Sequence, residues 1–315
     1  SAMLLFLKNI ERIEIKEFLP GSTQPRVLFS CNILDVTTEL RNKRCYVSSA
    51  KQLASVLSNI NNRAIIDFHL NIHCQNADGS TYSESWELCN QLGAREPTTI
   101  AADPSNALLR LIPWGGVAAC LHSSATSTSA KAGPLDGVAY CFLPLPIKTG
   151  LPVMINGFFE LSSNRRDVWQ AGSDMTGEGR MRAQWNVALM REIISPCYMR
   201  LLSGLRSHLG FSVRYQQLWP SWSDTVPWST VVSATLAECA TEKLLYPHTL
   251  ITTSSDKFPP NLKSSSPVFK SDGWIDTSLA VLLPSNLSVA EEQELFDYLV
   301  LANVPIVHCI DSLRL

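Results

Sequence analysis

The sequence predicts an α+β first domain followed by a smaller α/β domain, and three observations lead there. Alternation of apolar and polar residues with strand period dominates residues 4–150. Apolar residues at helical spacing run through Met181–Leu209. Near the C-terminus Ser278–Leu283, Ser288–Leu301 and Pro305–Cys309 make a strand–helix–strand pattern, the signature of a βαβ unit. A chain of 315 residues, 45% of them hydrophobic, has the length for two domains and the apolar material for a core in each.

Taken in order, Ile10, Ile13 and Ile15 among Glu11, Glu14 and Glu17 read as a partly buried strand, and Arg26–Leu34 as its hairpin partner. The clearest alternation is Ala64–Cys74, where Ile66, Phe68, Leu70 and Ile72 point one way and Asp67, His69, Asn71 and His73 the other. Asn76-Ala77-Asp78-Gly79 closes a turn and Thr81–Leu88 returns. Leu108–Leu121 and Gly137–Leu145 read as further strands, separated by Ser123–Gly133 with the composition of a mobile loop. Val153–Ile155 and Phe158–Leu161 are strand-like and interrupted by Asn156-Gly157, and Ser162-Ser163-Asn164 carries turn chemistry. A helix or helix pair over Met181–Leu209 buries Trp185, Leu189, Ile193 and Ile194, with Pro196 as a kink or break.

The connector Pro220–Pro227 marks the domain boundary, giving a first domain over 3–215 and a second over 216–315. In the second, Trp228–Leu245 reads as a helix, Thr252–Val268 as a loop, and Ser288 with Glu291 as a capping box. Ser1-Ala2 ahead of Met3 reads as a cloning scar, so the chain is expected to be an excised piece of a longer one.

Twenty-six Lys and Arg against 28 Asp and Glu leave a net charge of −2, which speaks against a nucleic-acid partner. Nine cysteines without a CxxC pair read as reduced thiols in a cytosolic or nuclear protein, and a cytoplasmic one is expected. No apolar run approaches the ~18 residues of a membrane span.

Candidate chemistry is sparse. His69 and His73 beside Cys74 look like ligand material, but four strand positions separate them by about 13 Å, too far to share a metal, and no metal site is expected. Cys120 and His122 carry no third partner and read as core or surface residues. Gly172, Gly177 and Gly179 lead into a helix with Arg180 and Arg182 in its first turn, where cations oppose the macrodipole. Either a bound anion at Gly177, Gly179, Arg180 and Arg182 or the neighbouring Asp174 and Glu178 must compensate. Asn164-Arg165-Arg166 sits in a turn, where the guanidinium groups could grip a phosphate or pair with Asp167 or Glu160. Trp185, Trp219, Trp222, Trp228 and Trp274 read as packing residues rather than a base-stacking platform.

Phe142–Pro146, Thr149–Phe158, Ser163-Asn-Arg-Arg-Asp167 and the run Gly172–Asn186 together resemble the large internal repeats of the sacsin family. Leu4–Ile13 resembles the segment following the Hsp90-type, GHKL-class ATPase domain in those repeats, and Pro113–Ala119 is similar to another family stretch. The resemblance covers about residues 4–200, with looser similarity around Gly273-Trp-Ile275 and Asn303-Val-Pro305. It implies an Hsp90-middle-like domain, with a fold like ribosomal protein S5 domain 2, that couples the nucleotide state of a preceding ATPase domain to client or inter-repeat contacts. It also implies a basic residue facing the γ-phosphate of the neighbour's ATP, for which Asn164, Arg165 and Arg166 occupy the matching position. The partners implied are that domain, neighbouring repeats, and client proteins or co-chaperones. The ATPase motifs themselves have no counterpart here, so the chain is expected to bind no cofactor and turn over no ATP alone, with ATP and Mg²⁺ held by the preceding domain. The alternatives are a non-catalytic scaffold segment and, as in MutL-type relatives, nucleic-acid handling.

Overall fold

The longest ladder in the molecule forms where the sequence alternates most cleanly. Strand β3 (Ala64–Asn76) pairs antiparallel with β4 (Thr81–Leu92) from Ala64↔Leu92 to Gln75↔Thr81, and the alternation buries Phe68, Leu70, Ile72 and Cys74 on one face. Around it grows an eight-stranded sheet of order β1-β2-β3-β4-β5-β8-β6-β7. Its other strands are β1 (Arg12–Glu17), β2 (Arg26–Ile33), β5 (Trp114–Ser123), β6 (Val138–Cys141), β7 (Leu143–Lys148) and β8 (Met154–Gly157), all antiparallel to their neighbours except β6 against β8. This computed structural model describes residues 2–20, 24–46, 49–124, 136–170, 176–209, 213–220 and 226–239. The chain divides into two units, Ser1–Leu201 and Leu202–Leu315.

The first unit is α+β, and the mainly-strand expectation for residues 4–150 is corrected at three places. Helices α1 (Thr38–Cys45), α2 (Ala50–Leu57) and α3 (Arg95–Ala102) are eight residues each, too short for a 3.6-residue period to stand out. Their local signals are caps: Thr37 accepts from the Leu40 N–H and Ser49 from the Gln52 N–H. Residues Pro104–Leu109 form a 3-10 turn capped by Asp103, leaving Leu108 exposed, so the strand expected over Leu108–Leu121 begins only at Trp114. The single strand expected over Gly137–Leu145 is two, reversing at Phe142, whose φ of 63° is left-handed. Phe158–Leu161 is not a strand; Leu161 makes an isolated bridge to Val168.

The predicted helix is present and does not break at Pro196. Helix α4 (Gly177–Leu189) passes through a π-turn (Met190–Ile194) into α5 (Ser195–Leu209). The proline lacks the N–H that would bond the Glu192 carbonyl one turn back. The buried Gln91 carboxamide donates to that carbonyl at 3.0 Å instead, and to the Gly93 carbonyl at 2.8 Å. Ser195 closes the wide turn through its hydroxyl to the Met190 carbonyl at 2.8 Å.

Helix residues Trp185, Ala188, Leu189, Ile193 and Ile194 are fully buried. One core cluster joins Leu4, Leu5 and Phe6 of the N-terminal segment to Leu70, Ile72, Trp86 and Leu88 of the sheet. A smaller cluster joins Val56 to Leu92 and Trp114. Between them on β4 and β5 lie Asn90 and Gly116, in register. A Cβ at Gly116 would meet Asn90 Oδ1 at 1.9 Å and the Cys89 carbonyl at 2.6 Å. Arg44, 5% exposed, holds the N-terminal segment to α1 by donating from one guanidinium nitrogen to the carbonyls of Leu4 (3.3 Å), Leu7 and Ile10 (2.8 Å).

In the second unit, α6 (Val213–Gln217) and α7 (Ser229–Cys239) are described, and Leu205, Tyr215, Leu218, Trp219, Trp228, Val231 and Val232 are buried. Trp219 and Trp228 are thus packing residues, the former edge-on to Tyr215 at 6.0 Å. The βαβ unit, the Ser288–Glu291 box, Trp222, Trp274, the loop expected over 123–133 beyond Ser124, and the loop over 252–268 lie outside the described residues.

Gly116→Ala is expected to lower stability by about 1–3 kcal/mol, because the new methyl must displace Asn90 or the Cys89 backbone. An unchanged thermal midpoint would contradict that packing. Arg44→Met, which keeps the apolar stem, should cost about 2–4 kcal/mol through three deserted carbonyls, read by denaturant unfolding.

Candidate functional site

The turn signal at Ser162-Ser163-Asn164 builds a small hairpin. The Trp169 N–H donates to the Glu160 carbonyl at 2.9 Å and the Ser162 N–H to the Asp167 carbonyl at 2.9 Å, with the Leu161↔Val168 bridge between them. At the tip, Asn164 Oδ1 accepts from the Ser162 hydroxyl at 2.7 Å and from the Arg166 N–H at 2.9 Å. The Arg165 N–H bonds the Ser162 carbonyl at 2.8 Å, and its φ of 56° lies in the left-handed region. The Asn164 carboxamide oxygen is therefore occupied in shaping the turn.

The base of this hairpin rests on α4. Asn186, 1% exposed, accepts from the Glu160 N–H at 2.9 Å and donates to the carbonyls of Glu160 at 2.8 Å and Trp169 at 2.9 Å, gripping both strands of the hairpin. One turn position away Trp185 donates its indole N–H to the Phe158 carbonyl at 2.8 Å. Arg182 bonds Glu160 at 2.8 Å and Glu178 at 2.5 Å and lies over the Trp169 ring at 5.6 Å. Burial pushes the Glu160 carboxyl above the usual range, and the Arg182 charge opposes it.

Arg165 and Arg166 are exposed at the tip, and neither pairs with Asp167, Glu160 or any other acid among the described residues. The positive charge of Arg165 reaches the Cys141 thiol, opposing the burial that raises its pKa. Gly177, with φ of 60°, and Gly179 form the first turn of α4. Of the two arginines there, Arg182 is compensated by acidic neighbours, Glu160 joining Glu178, whereas Arg180 makes no ion pair among the described residues. Gly172 and Asp174 lie outside them.

Two residues escaped the sequence reading. Asn186 could have been noticed as a polar side chain three residues before Leu189, on the apolar stripe of its helix. Lys8 carries no such signal: its ammonium sits 4.5 Å from the Phe142 ring centre and 5.9 Å from that of Trp114, themselves stacked at 5.0 Å, and burial lowers its pKa.

His69 is bonded to Glu87 at 3.2 Å, Asn71 at 3.0 Å and Ser85 at 3.0 Å, and His73 to Ser83 at 3.2 Å, so both rings serve cross-strand networks. Among the described residues no group of three or more His, Cys, Asp or Glu could hold a metal ion, and no helix is long and apolar enough to cross a membrane. The seven cysteines whose side chains are described are free.

Asn186→Leu is expected to cost about 1–3 kcal/mol by leaving hairpin backbone groups unpaired. Tryptic cleavage after Arg165 and Arg166 should accelerate several-fold under native conditions. Unchanged cleavage would mean that Asn186 does not hold the hairpin.

No protein-family model matches the chain, and no solved structure does. Over 210 residues, 65% of this chain, it is 27% identical to sacsin of Homo sapiens. The aligned stretch amounts to 4% of sacsin's own length. The chain therefore carries a segment similar to sacsin.

Proposed function

We propose that the first unit is the module that follows an ATPase domain in a sacsin-like, Hsp90-related chaperone repeat, and that it couples the nucleotide state of that domain to client or inter-repeat contacts. The observation that carries this reading is the hairpin over 160–169, whose exposed tip presents two arginines without acidic partners among the described residues while its base is fixed to α4. With the hairpin backbone already fixed to α4, only the arginine side chains remain to be ordered when a guanidinium meets a phosphate and stabilises charge on a transferring phosphoryl group. Arg165 or Arg166 is the phosphate sensor, ATP and Mg²⁺ belong to the preceding domain, and this chain alone turns over no ATP. The setting that suits such a module is the cytoplasm, with client proteins or co-chaperones as further partners.

The test measures ATP hydrolysis by this chain, by the same chain extended through the preceding domain, and by the extended form carrying Arg165→Ala with Arg166→Ala. Turnover only in the extended form, reduced about 10²-fold or more in the variant, is the expected result. Equal turnover and equal nucleotide-dependent compaction with and without the arginines would refute the sensor. No turnover in any form would favour the non-catalytic scaffold.

A further inference from the structure

The two edges of the sheet are built differently. Outer strand β7 carries Pro144 and Pro146, which lack N–H groups and leave its open side short of donors. Strand β1 at the other edge contains no proline and has no strand on its outer side among the described residues.

Which backbone groups of β1 are free follows from its pairing. The Ile33 N–H donates to the Glu11 carbonyl at 2.9 Å, and the register runs Arg12↔Asn32, Ile13↔Cys31, Glu14↔Ser30, Ile15↔Phe29. In an antiparallel ladder the bonded pairs alternate, so Ile13 and Ile15 face β2 while Arg12 and Glu14 aim their N–H and C=O outward. The register then shifts to Lys16↔Val27 and Glu17↔Arg26, with the extra residue, Leu28, on β2, so β1 keeps its own alternation and Lys16 also aims outward. On the same residues the side chains alternate in sign, Glu14 pairing Lys16 at 3.0 Å and Arg12. Between them Ile15 is 47% exposed.

A second β1 can add antiparallel only where outward groups meet outward groups. Centring the pair on Glu14 opposes Glu14 to itself and Arg12 to Lys16, like charges in both cases. Centring it on Ile15 opposes Glu14 to Lys16 twice and brings the two Ile15 side chains together as a pair without mutual hydrogen bonds, the closer type.

We propose that β1 is a self-complementary docking edge that pairs with β1 of a second copy of this chain about a twofold axis at Ile15, joining two eight-stranded sheets. The pairing adds main-chain bonds at Glu14 and Lys16, cross-strand ion pairs on one face and an apolar contact on the other.

Sedimentation equilibrium of the intact chain tests it. A strand pair this short belongs to the weak class of interfaces, so concentrations reach about 500 μM. A reversible dimer is expected. Lys16→Glu sets Glu14 against an acid twice and should weaken it at least about tenfold, and adding Glu14→Lys in the same chain should restore it. Lys16→Pro removes an outward N–H and should abolish the dimer while leaving the thermal midpoint of the monomer in place. With diamide as oxidant, Ile15→Cys should give a peptide disulfide-linked to its own copy, and Glu17→Cys should not. A monomer throughout the range, or a dimer indifferent to the charge swap and uncrosslinked at Ile15→Cys, overturns the proposal.

Discussion

Two adjacent residues without side chains in the middle of the sheet set the spacing of everything around them. On one side of β5, a Cβ at Gly115 would stand 3.2 Å from Ile193 and 3.3 Å from Ile194, so the helix lies almost on the strand backbone. On the other side Gly116 leaves room for the Asn90 carboxamide between two apolar clusters. The close approach of the helix is what allows Gln91 to reach the Glu192 carbonyl, and Trp185 and Asn186 to reach the chain leaving β8. The arginine hairpin inherits its position from that contact, three steps removed from the arginines.

Charge in this molecule is used locally. Arg182 satisfies Glu178 and Glu160, Arg41 satisfies Glu11 at 2.8 Å, and Arg200 satisfies Asp67 at 2.7 Å. Exposed pairs of this kind are worth little singly. The buried thiols add no charge: Cys89 is pushed far above an ordinary thiol by the neighbouring Cys197 thiol, by burial and by the Asp67 charge, as Cys31 and Cys74 are raised by burial. Such groups stay protonated and behave as small apolar side chains.

Much of the architecture was legible because it rests on long periodic segments. The β3–β4 ladder declared itself in the alternation from Ile66 to His73, of whose four apolar residues Phe68, Leu70 and Ile72 are buried, and the helix at Trp185, Leu189, Ile193 and Ile194 in its spacing. Helices α1 to α3 were not legible, since eight residues offer two turns and a cap, and tertiary burial decides the rest. The arginine turn could be read from Ser162-Ser163-Asn164, whereas the exposure of its tip depends on backbone bonds to Asn186, 22 positions beyond Asn164. At Pro196 the helix continues, and the Glu192 carbonyl that the proline abandons takes the Gln91 carboxamide as its donor.

The wide turn at Met190–Ile194 also acts as a phase shifter. Winding one extra residue into a helix without bending it far sets every later side chain back by about 100° relative to an uninterrupted α-helix. The first half of the long helix can therefore aim Arg182 and Asn186 at the hairpin, while the second half aims Cys197 at Cys89 and Arg200 at Asp67. Two sets of contacts that a regular helix would force into one stripe are thereby separated onto two faces.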